Sequence, residues 1–405
     1  MKYLLTAFCA LLLFSCSDKD LPYSEVSAER TVIVYISAEN GLAGFAQSDL
    51  NELIEASRHI TKDQRLVVFY DDNNKTEPPY IALLKNGEVI KDTKLSFKED
   101  FYSSDPEKMK LILSHIMHNY WADDFVLDLW GHGSGWVITN DTIEGGQPAS
   151  KTMSRAFGID NGQNTTMDTG KWINITQMAN IFNSLPARFR LIYGNNCFFQ
   201  CIETAYELKD CTDYLMGAPA ELPAETASYI DMIPLMFNKD IEFYKAIADK
   251  QYEECRYLDC TPPMSVIYTG NLERLAKATS KLMPDIMKND NFTGHRIITY
   301  GPLQDDSGRK AKGYYDMKNI VMEYAADNDA YREWKLAFDE TVVYRLKSNK
   351  WETIFPAYIN FSAFDVNDDT YGGVSMFIPQ PMYNILSPCP NKTIQQMKWA
   401  NAVGL

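Results

Sequence analysis

Two short stretches hold residue types that can do chemistry together. In VLDLWGHGSGW, Val126 to Trp136, an apolar run ends at Gly131 and leaves His132 between two glycines. In FRLIYGNNC, Phe189 to Cys197, a second apolar run ends at Asn195-Asn196 and delivers Cys197. A free thiol, with a pKa of about 8.5, is mostly protonated at neutral pH and weakly reactive. A neighbouring imidazole and a helix N-terminus both favour the thiolate. A helical pattern, Cys201 to Leu208, predicts a helix starting at or just after Cys197. Backbone N–H groups at that start, with the N–H of Gly133, can hold the oxyanion of a tetrahedral intermediate. The chemistry these residues suit is acyl transfer by a Cys/His dyad. Two other readings use the same residues. Cys201, one helical turn past Cys197, allows a thiol-redox pair, although such pairs usually sit as CxxC. A packed cysteine and a satisfied histidine would instead leave a binding protein. His59, His115, His118 and His295 lie in helical or polar contexts and read as surface or packing residues.

The elements that must position the pair can be read from apolar runs. Arg30–Ile36, Arg65–Tyr70, Phe125–Leu129, Phe189–Gly194 and Tyr214–Ala218 each read as buried strands. Between them lie helical patterns, one starting near Ser48 and one near Asn174–Leu185. A third opens at Ser104-Asp105-Pro106, with an N-cap candidate and Pro in the first turn. Met109, Leu111, Ile112, Ile116 and Met117 supply its apolar face. Lys85-Asn86-Gly87-Glu88 reads as a hairpin turn. Buried strands alternating with amphipathic helices predict an α/β fold with a mostly parallel sheet. Working residues in such sheets sit beyond the carboxyl ends of strands, where His132 and Cys197 both fall. Residues 137–170 are polar and read as a long functional loop, with Lys151 and Arg155 open to proteolysis.

The chain of 405 residues exceeds what one core usually supports. The expected organisation is a leader at 1–15, a tether at 16–29, a catalytic domain at 30–265 and a C-terminal domain or α+β extension at 266–405. A net charge of -15 argues against nucleic acid or an anionic membrane surface as partner. The leader has one Lys and an apolar stretch from Tyr3 to Phe14, too short for a permanent span. It ends at Leu13-Phe14-Ser15-Cys16, which resembles a bacterial lipoprotein box; processing there leaves Cys16 lipidated and the protein tethered. The acidic Ser17-Asp18-Lys19-Asp20 resembles signals for display on the outer surface of the outer membrane. With Cys9 removed and Cys16 lipidated, six cysteines remain, 197, 201, 211, 255, 260 and 389, with no zinc-site spacing. They are able to pair in an oxidising compartment, and a nucleophile among them must escape pairing.

Leu129-Trp130-Gly131-His132-Gly133-Ser134-Gly135-Trp136 is similar to the histidine motif of the clostripain family of cysteine peptidases, which share the caspase–gingipain–legumain fold. Asn195-Asn196-Cys197-Phe198-Phe199-Gln200-Cys201-Ile202-Glu203 resembles its cysteine motif, D-A-C-x-M-x-x-x-E. The stretch Arg30 to Leu42, Tyr315-Asp316-Met317 and Gly372 to Pro379 resemble further landmarks, so the likeness covers nearly the whole mature chain. It implies a caspase-like sheet flanked by helices, and a lipid-anchored cysteine endopeptidase acting on protein or peptide substrates. It also implies His132 as general base, Cys197 as nucleophile, and the Gly133 and Cys197 backbone amides as oxyanion hole. Family members are commonly activated by cleavage between His and Cys, where 137–170 lies.

The departures carry information too. Where the family has an acid two residues before the nucleophile, thought to bind Arg or Lys, this chain has Asn195. An amide cannot pair with a guanidinium as a charge, a contact worth a few kcal/mol. Glu221 and Glu225, after the fifth strand, are the candidate substitutes. Phe199 replaces a Met, a packing change. No metal or cofactor is needed for the chemistry, but some members need calcium. Asp365-Val366-Asn367-Asp368-Asp369 begins like an EF-hand, yet Thr370 stands where Gly is required and Met376 where Glu closes the loop. A catalytically degenerate binding protein of the same fold is the alternative.

Overall fold

A computed structural model describes residues 27–137, 156–162, 170–255, 261–289, 292, 297–304, 309–348, 351 and 366–405. The leader with Cys16, most of 137–170, Cys260, His295 and Asp365 lie outside the described residues. The first strands are β1 (Ala28–Ala38), β2 (Gln64–Asp72), β3 (Tyr80–Lys85) and β4 (Glu88–Lys91). Next come β5 (Ala122–Gly131), β6 (Phe157–Asp160), β7 (Lys171–Ile173), β8 (Phe189–Asn195) and β9 (Thr212–Gly217). Then follow β10 (Met264–Tyr268), β11 (Thr299–Gln304), β12 (Lys310–Asp316), β13 (Val342–Leu346) and β14 (Ser375–Met376).

Among the described residues nine strands form one sheet, in the order β13-β10-β9-β8-β5-β1-β2-β3-β4. Its centre, β9-β8-β5-β1-β2, is parallel, and the strands on both flanks are antiparallel. The centre is buried on both faces, so its strands read as near-continuous apolar runs. Alternation sends Leu127 and Leu129 into one core and Val126 and Trp130 into the other. The first core packs under the helices Pro106–Asn119, Ile175–Asn183, Ile202–Leu208 and Leu272–Ile286. The second packs under Ala43–Ala56, Tyr229–Met236 and Phe243–Glu254. The expected α/β architecture with a mostly parallel sheet is thus what the chain forms.

Several local expectations change. The helix after the cysteine starts at Ile202, five residues past Cys197, so its N-terminus does not meet the thiol. The first helix starts at Ala43 rather than near Ser48. In the helix Pro106–Asn119, Leu111 is 46% exposed and Leu113 takes its place inside. The polar stretch 137–170 contains β6, buried throughout, which pairs with β7. The boundary expected after residue 265 falls inside β10, and β13 from beyond it extends the same sheet. Among the described residues Cys197, Cys201, Cys211 and Cys389 are free thiols. No described helix is long and apolar enough to cross a membrane.

Candidate active site

Strands β5 and β8 lie side by side with Trp130 opposite Asn195, so His132 and Cys197 leave neighbouring strands at the same end of the sheet. Asn196 ties the two ends together, its Nδ2 donating to the Leu129 carbonyl at 3.0 Å. The chain then reverses through Phe198, whose φ of 56° is left-handed and costs a non-glycine residue about 1–2 kcal/mol. Two contacts hold it there. Its N–H donates to the Ala220 carbonyl at 2.9 Å, and its ring stacks on Tyr314 with centroids 4.4 Å apart. The Tyr314 hydroxyl donates in turn to the Ser134 carbonyl at 2.9 Å. One aromatic pair therefore links the cysteine turn to the histidine loop. The glycines around His132 serve the same approach. A Cβ on Gly133 would run into Asn196 Oδ1 and lie 2.9 Å from the Cys197 carbonyl oxygen; one on Gly135 would lie 2.6 Å from the Phe198 oxygen. Phe199 packs into space left by Gly194 and Gly217.

Both reactive groups rest uncharged. Burial pushes the Cys197 thiol up to about 12, Glu221 adds to this, and the Leu222 N–H opposes it. That N–H donates to Cys197 Sγ at 3.4 Å. Burial lowers His132 to about 4, and its Nε2 has no hydrogen-bond partner among the described residues. Cys201 is fully buried, with Sγ donating to Thr204 Oγ1 at 3.0 Å. Cys201 and Cys197 are thus held by different partners, Thr204 and Leu222, and form no disulfide with each other.

His132, Asn195, Asn196 and Cys197 line one cavity of about 50 Å³, with Leu42, Trp130, Leu222, Pro223, Ala224 and Thr226 among its walls. Glu221 and Glu225 flank the wall segment and are not among the lining residues, so no carboxylate lines the cavity. The acids lie one layer down. Asn195 Nδ2 donates to Tyr229 Oη at 3.2 Å, and that hydroxyl donates to Asp128 Oδ2 at 2.8 Å. Asp128 Oδ1 has no partner among the described residues. Burial first, then Asp49, pushes Asp128 up to about 8, despite the Tyr229 hydrogen bond. Trp130 Nε1 donates to Asp49 Oδ2 at 2.7 Å, and burial lifts Asp49 to about 7. Sequence reasoning passed over Asp128, Asp49 and Tyr229. The available signal was an aspartate in the middle of the apolar run VLDLW.

The C-terminal residues brace this arrangement. Glu203 Oε1 accepts from the Phe377 N–H at 2.7 Å. Asp316 accepts from the N–H groups of Asn319, Gly372 and Gly373 at 2.8–3.0 Å and from the Tyr300 hydroxyl. As to metals, the stretch after residue 365 folds into a turn capped by Asn367 Oδ1, which accepts from Asp369 and Thr370 N–H groups. Lysines occupy it: Lys347 pairs with Asp368 at 2.8 Å and Lys318 Nζ donates to the Asp368 carbonyl at 3.0 Å. A different acidic group, Glu39, Asp71 and Asp160, has donor atoms within 4.8 Å of one another. All three are carboxylates in buried positions, a donor set that fits a hard cation such as calcium.

The sequence profile of the clostripain family matches residues 34–391. No curated protein sequence matches the chain. A secreted C11 cysteine protease from Bacteroides thetaiotaomicron, solved with an irreversible peptide inhibitor, is similar in structure with a TM-score of 0.74 at 23% identity. The match covers 93% of this chain and 99% of that one. An inactive zymogen C11 protease from Parabacteroides distasonis gives 0.72 at 22% identity over the same shares of both chains. At these identities the likeness establishes the fold, a caspase-like sheet flanked by helices.

Proposed function

This chain belongs to the clostripain family of cysteine peptidases, and from that premise we propose that it cleaves peptide bonds with Cys197 as nucleophile and His132 as general base. The Cys197 thiol gives its proton to the His132 imidazole as sulfur attacks the scissile carbonyl carbon. The oxyanion accepts from the Gly133 and Cys197 N–H groups, donors worth the most in a site that excludes water. Collapse expels the amine, which takes the proton back from His132, and water then hydrolyses the thioester by the same route. The observation that carries this reading is the single cavity lined by both residues at adjacent strand ends. The resting pair is neutral because both groups are buried, so the proton transfer relies on charge stabilisation that develops with bound substrate, chiefly from the oxyanion hole. Asn195 gives the cavity a neutral floor, so Arg and Lys are favoured less than an acid would favour them.

The decisive experiment uses Cys197→Ala and His132→Ala with a cleavable peptide and a thiol-directed peptide inhibitor. Each variant should lose turnover while keeping its thermal transition, and the inhibitor should modify Cys197 alone. Near wild-type turnover in either variant defeats the dyad. A folded wild type that neither cleaves nor labels is the binding protein instead. We also place the mature chain on the cell envelope through lipid on Cys16, and its activation within 137–170, next to Lys151 and Arg155. Cys16→Ala should release it from membrane fractions; unchanged sedimentation with membranes excludes the anchor.

A further inference from the structure

At the carboxyl end of the sheet, outside the lining of the cavity, three acids converge from three separate segments. Glu39 follows β1, Asp71 lies in β2 opposite Ser37, and Asp160 ends β6. All three are buried, with Asp71 at 1% and Asp160 at 0% exposure. Asp160 is well supplied with donors: Ser103 N–H and Oγ reach its Oδ2, and the Gly162 N–H reaches Oδ1 at 2.7 Å. Glu39 and Asp71 both hydrogen-bond to Asp160, and Asp71 also to Ser103, but each keeps one oxygen unserved. Asp71 Oδ2 and Glu39 Oε2 are buried with no hydrogen-bond partner among the described residues. The charged groups acting most strongly on Glu39 are themselves acids, Asp160, Asp100 and Asp72. Those acting on Asp71 are Asp160 and Glu39. Buried carboxylates without a counter-charge repel one another and lose hydration, a combination proteins relieve by pairing or by a metal.

We infer that Glu39, Asp71 and Asp160 bind one divalent hard cation, calcium, and that this ion fastens β6 to the ends of β1 and β2. The donor oxygens lie within 4.8 Å of one another, close enough for one ion to touch all three. Magnesium keeps several waters, which suits a dry, all-protein group of carboxylates less well. The structural consequence reaches the dyad. Strand β6 hydrogen-bonds the histidine loop on both sides of Gly133: the Gly158 N–H donates to the His132 carbonyl at 2.8 Å, and the Ser134 N–H to the Ala156 carbonyl at 3.2 Å. On its other side, Asn40 Nδ2 donates to the Ile159 carbonyl at 2.7 Å and the Asn161 N–H to the Glu39 carbonyl at 3.0 Å. Asn40 Oδ1 accepts from the N–H of Leu42, a cavity wall. Ion binding therefore orders the backbone that carries His132, whether or not the dyad is catalytic.

The test uses the whole purified chain, stripped with a chelator and re-equilibrated with calcium. Titration calorimetry should give one calcium per chain, accompanied by a raised thermal transition and slower hydrogen exchange over 156–162. Glu39→Gln and Asp71→Asn should each weaken binding by at least about tenfold, because charge count sets affinity in such sites. Tyr102 sits close enough to feel Asp160 and Glu39, so terbium in the site should show tyrosine-sensitised emission that calcium displaces and that Tyr102→Phe diminishes. That reading stands even if the acid variants fail to fold. Absence of calcium binding in wild type overturns the inference. So does affinity unchanged in both acid variants, terbium emission unaltered by Tyr102→Phe, or binding lost only in Asp368→Asn.

Discussion

Replacing Asn195 by Asp tests what the cavity recognises. Its lining contains no carboxylate, and its volume of about 50 Å³ holds one or two waters until a side chain enters. Asn195 donates Nδ2 to Tyr229, so its Oδ1 is the atom left to accept from a substrate group. Neutral acceptors discriminate weakly between Arg and uncharged donors. A carboxylate there would make a charge-assisted hydrogen bond worth about 1.5–3 kcal/mol. At about 1.4 kcal/mol per tenfold, that is roughly a 10- to 150-fold gain in kcat/KM for Arg over a neutral residue at the cleaved position. The surroundings push toward the lower half of this range. The introduced carboxylate would lose the amide's bond to Tyr229 and would sit one hydroxyl away from Asp128, a carboxyl already raised to about 8. Two acids around one phenol resist ionising together. The assay compares matched Arg and neutral peptides on wild type and Asn195→Asp. A wild-type preference for Arg already in the thousands, unchanged by the substitution, would refute the reasoning and point to Glu221 or Glu225 moving into the cavity.

Gly133→Ala should fold yet lose about 100-fold or more in kcat/KM, since the new Cβ must push the histidine loop off the Cys197 carbonyl and ångström displacements cost that much; retained turnover would show the loop tolerates the shift. Alkylation of Cys197 by iodoacetamide reads the thiol directly: with its pKa raised to about 12, the rate should stay low through neutral pH and climb only in strong alkali. A rate that plateaus below about pH 8 would mean a resting thiolate instead. Glu203→Ala should destabilise by about 1–3 kcal/mol by stranding the Phe377 N–H, whereas Glu203→Gln keeps an acceptor. Burial raises the Glu203 carboxyl to about 8, above its unfolded value of about 4.3. The stability it gives is therefore complete below pH about 4 and lost as pH rises through about 8. Urea unfolding of Glu203→Gln against wild type should consequently favour the variant increasingly from acid to alkaline pH, and a constant difference would be the contrary result.

The residues at the two strand ends were legible because a parallel sheet writes its strands as apolar runs and puts working groups just past them. VLDLWGHG and LIYGNNC each carry that signal in a handful of residues. What escaped the sequence depends on partners far along the chain. Strand β6 is four residues in a polar stretch, and its burial comes from pairing with β7 and the histidine loop. The pattern after Cys197 suggested a helix at once, but Phe198 must take a left-handed φ, which no helical continuation allows. That φ is stabilised by Tyr314, more than a hundred residues away, which is itself left-handed at 49°. Leu111 and Leu113 were exchanged because both satisfy a helical apolar stripe to within one position. The acids Glu39, Asp71 and Asp160 share no local motif; only the register of β1 with β2 and the return of β6 bring them together.

The two faces of the sheet divide the work of the site. On one, Asp128, Trp130 and Asn195 project from β5 and β8 beneath the cavity, where Tyr229 and Asp49 from the overlying helices complete a polar layer. Substitutions there change what the cavity accepts. On the other, Tyr314 links the turn of Cys197 to the loop of His132, while Glu203 and Asp316 hold the C-terminal segments at Phe377 and Gly372. Substitutions there change where Cys197 and His132 stand. Because β10 and β13 extend the central sheet while β12 and β14 brace the cysteine turn, residues after 265 are part of the machinery that positions the site. This gives a physical reason why the family match runs on to residue 391 rather than stopping shortly after Cys197.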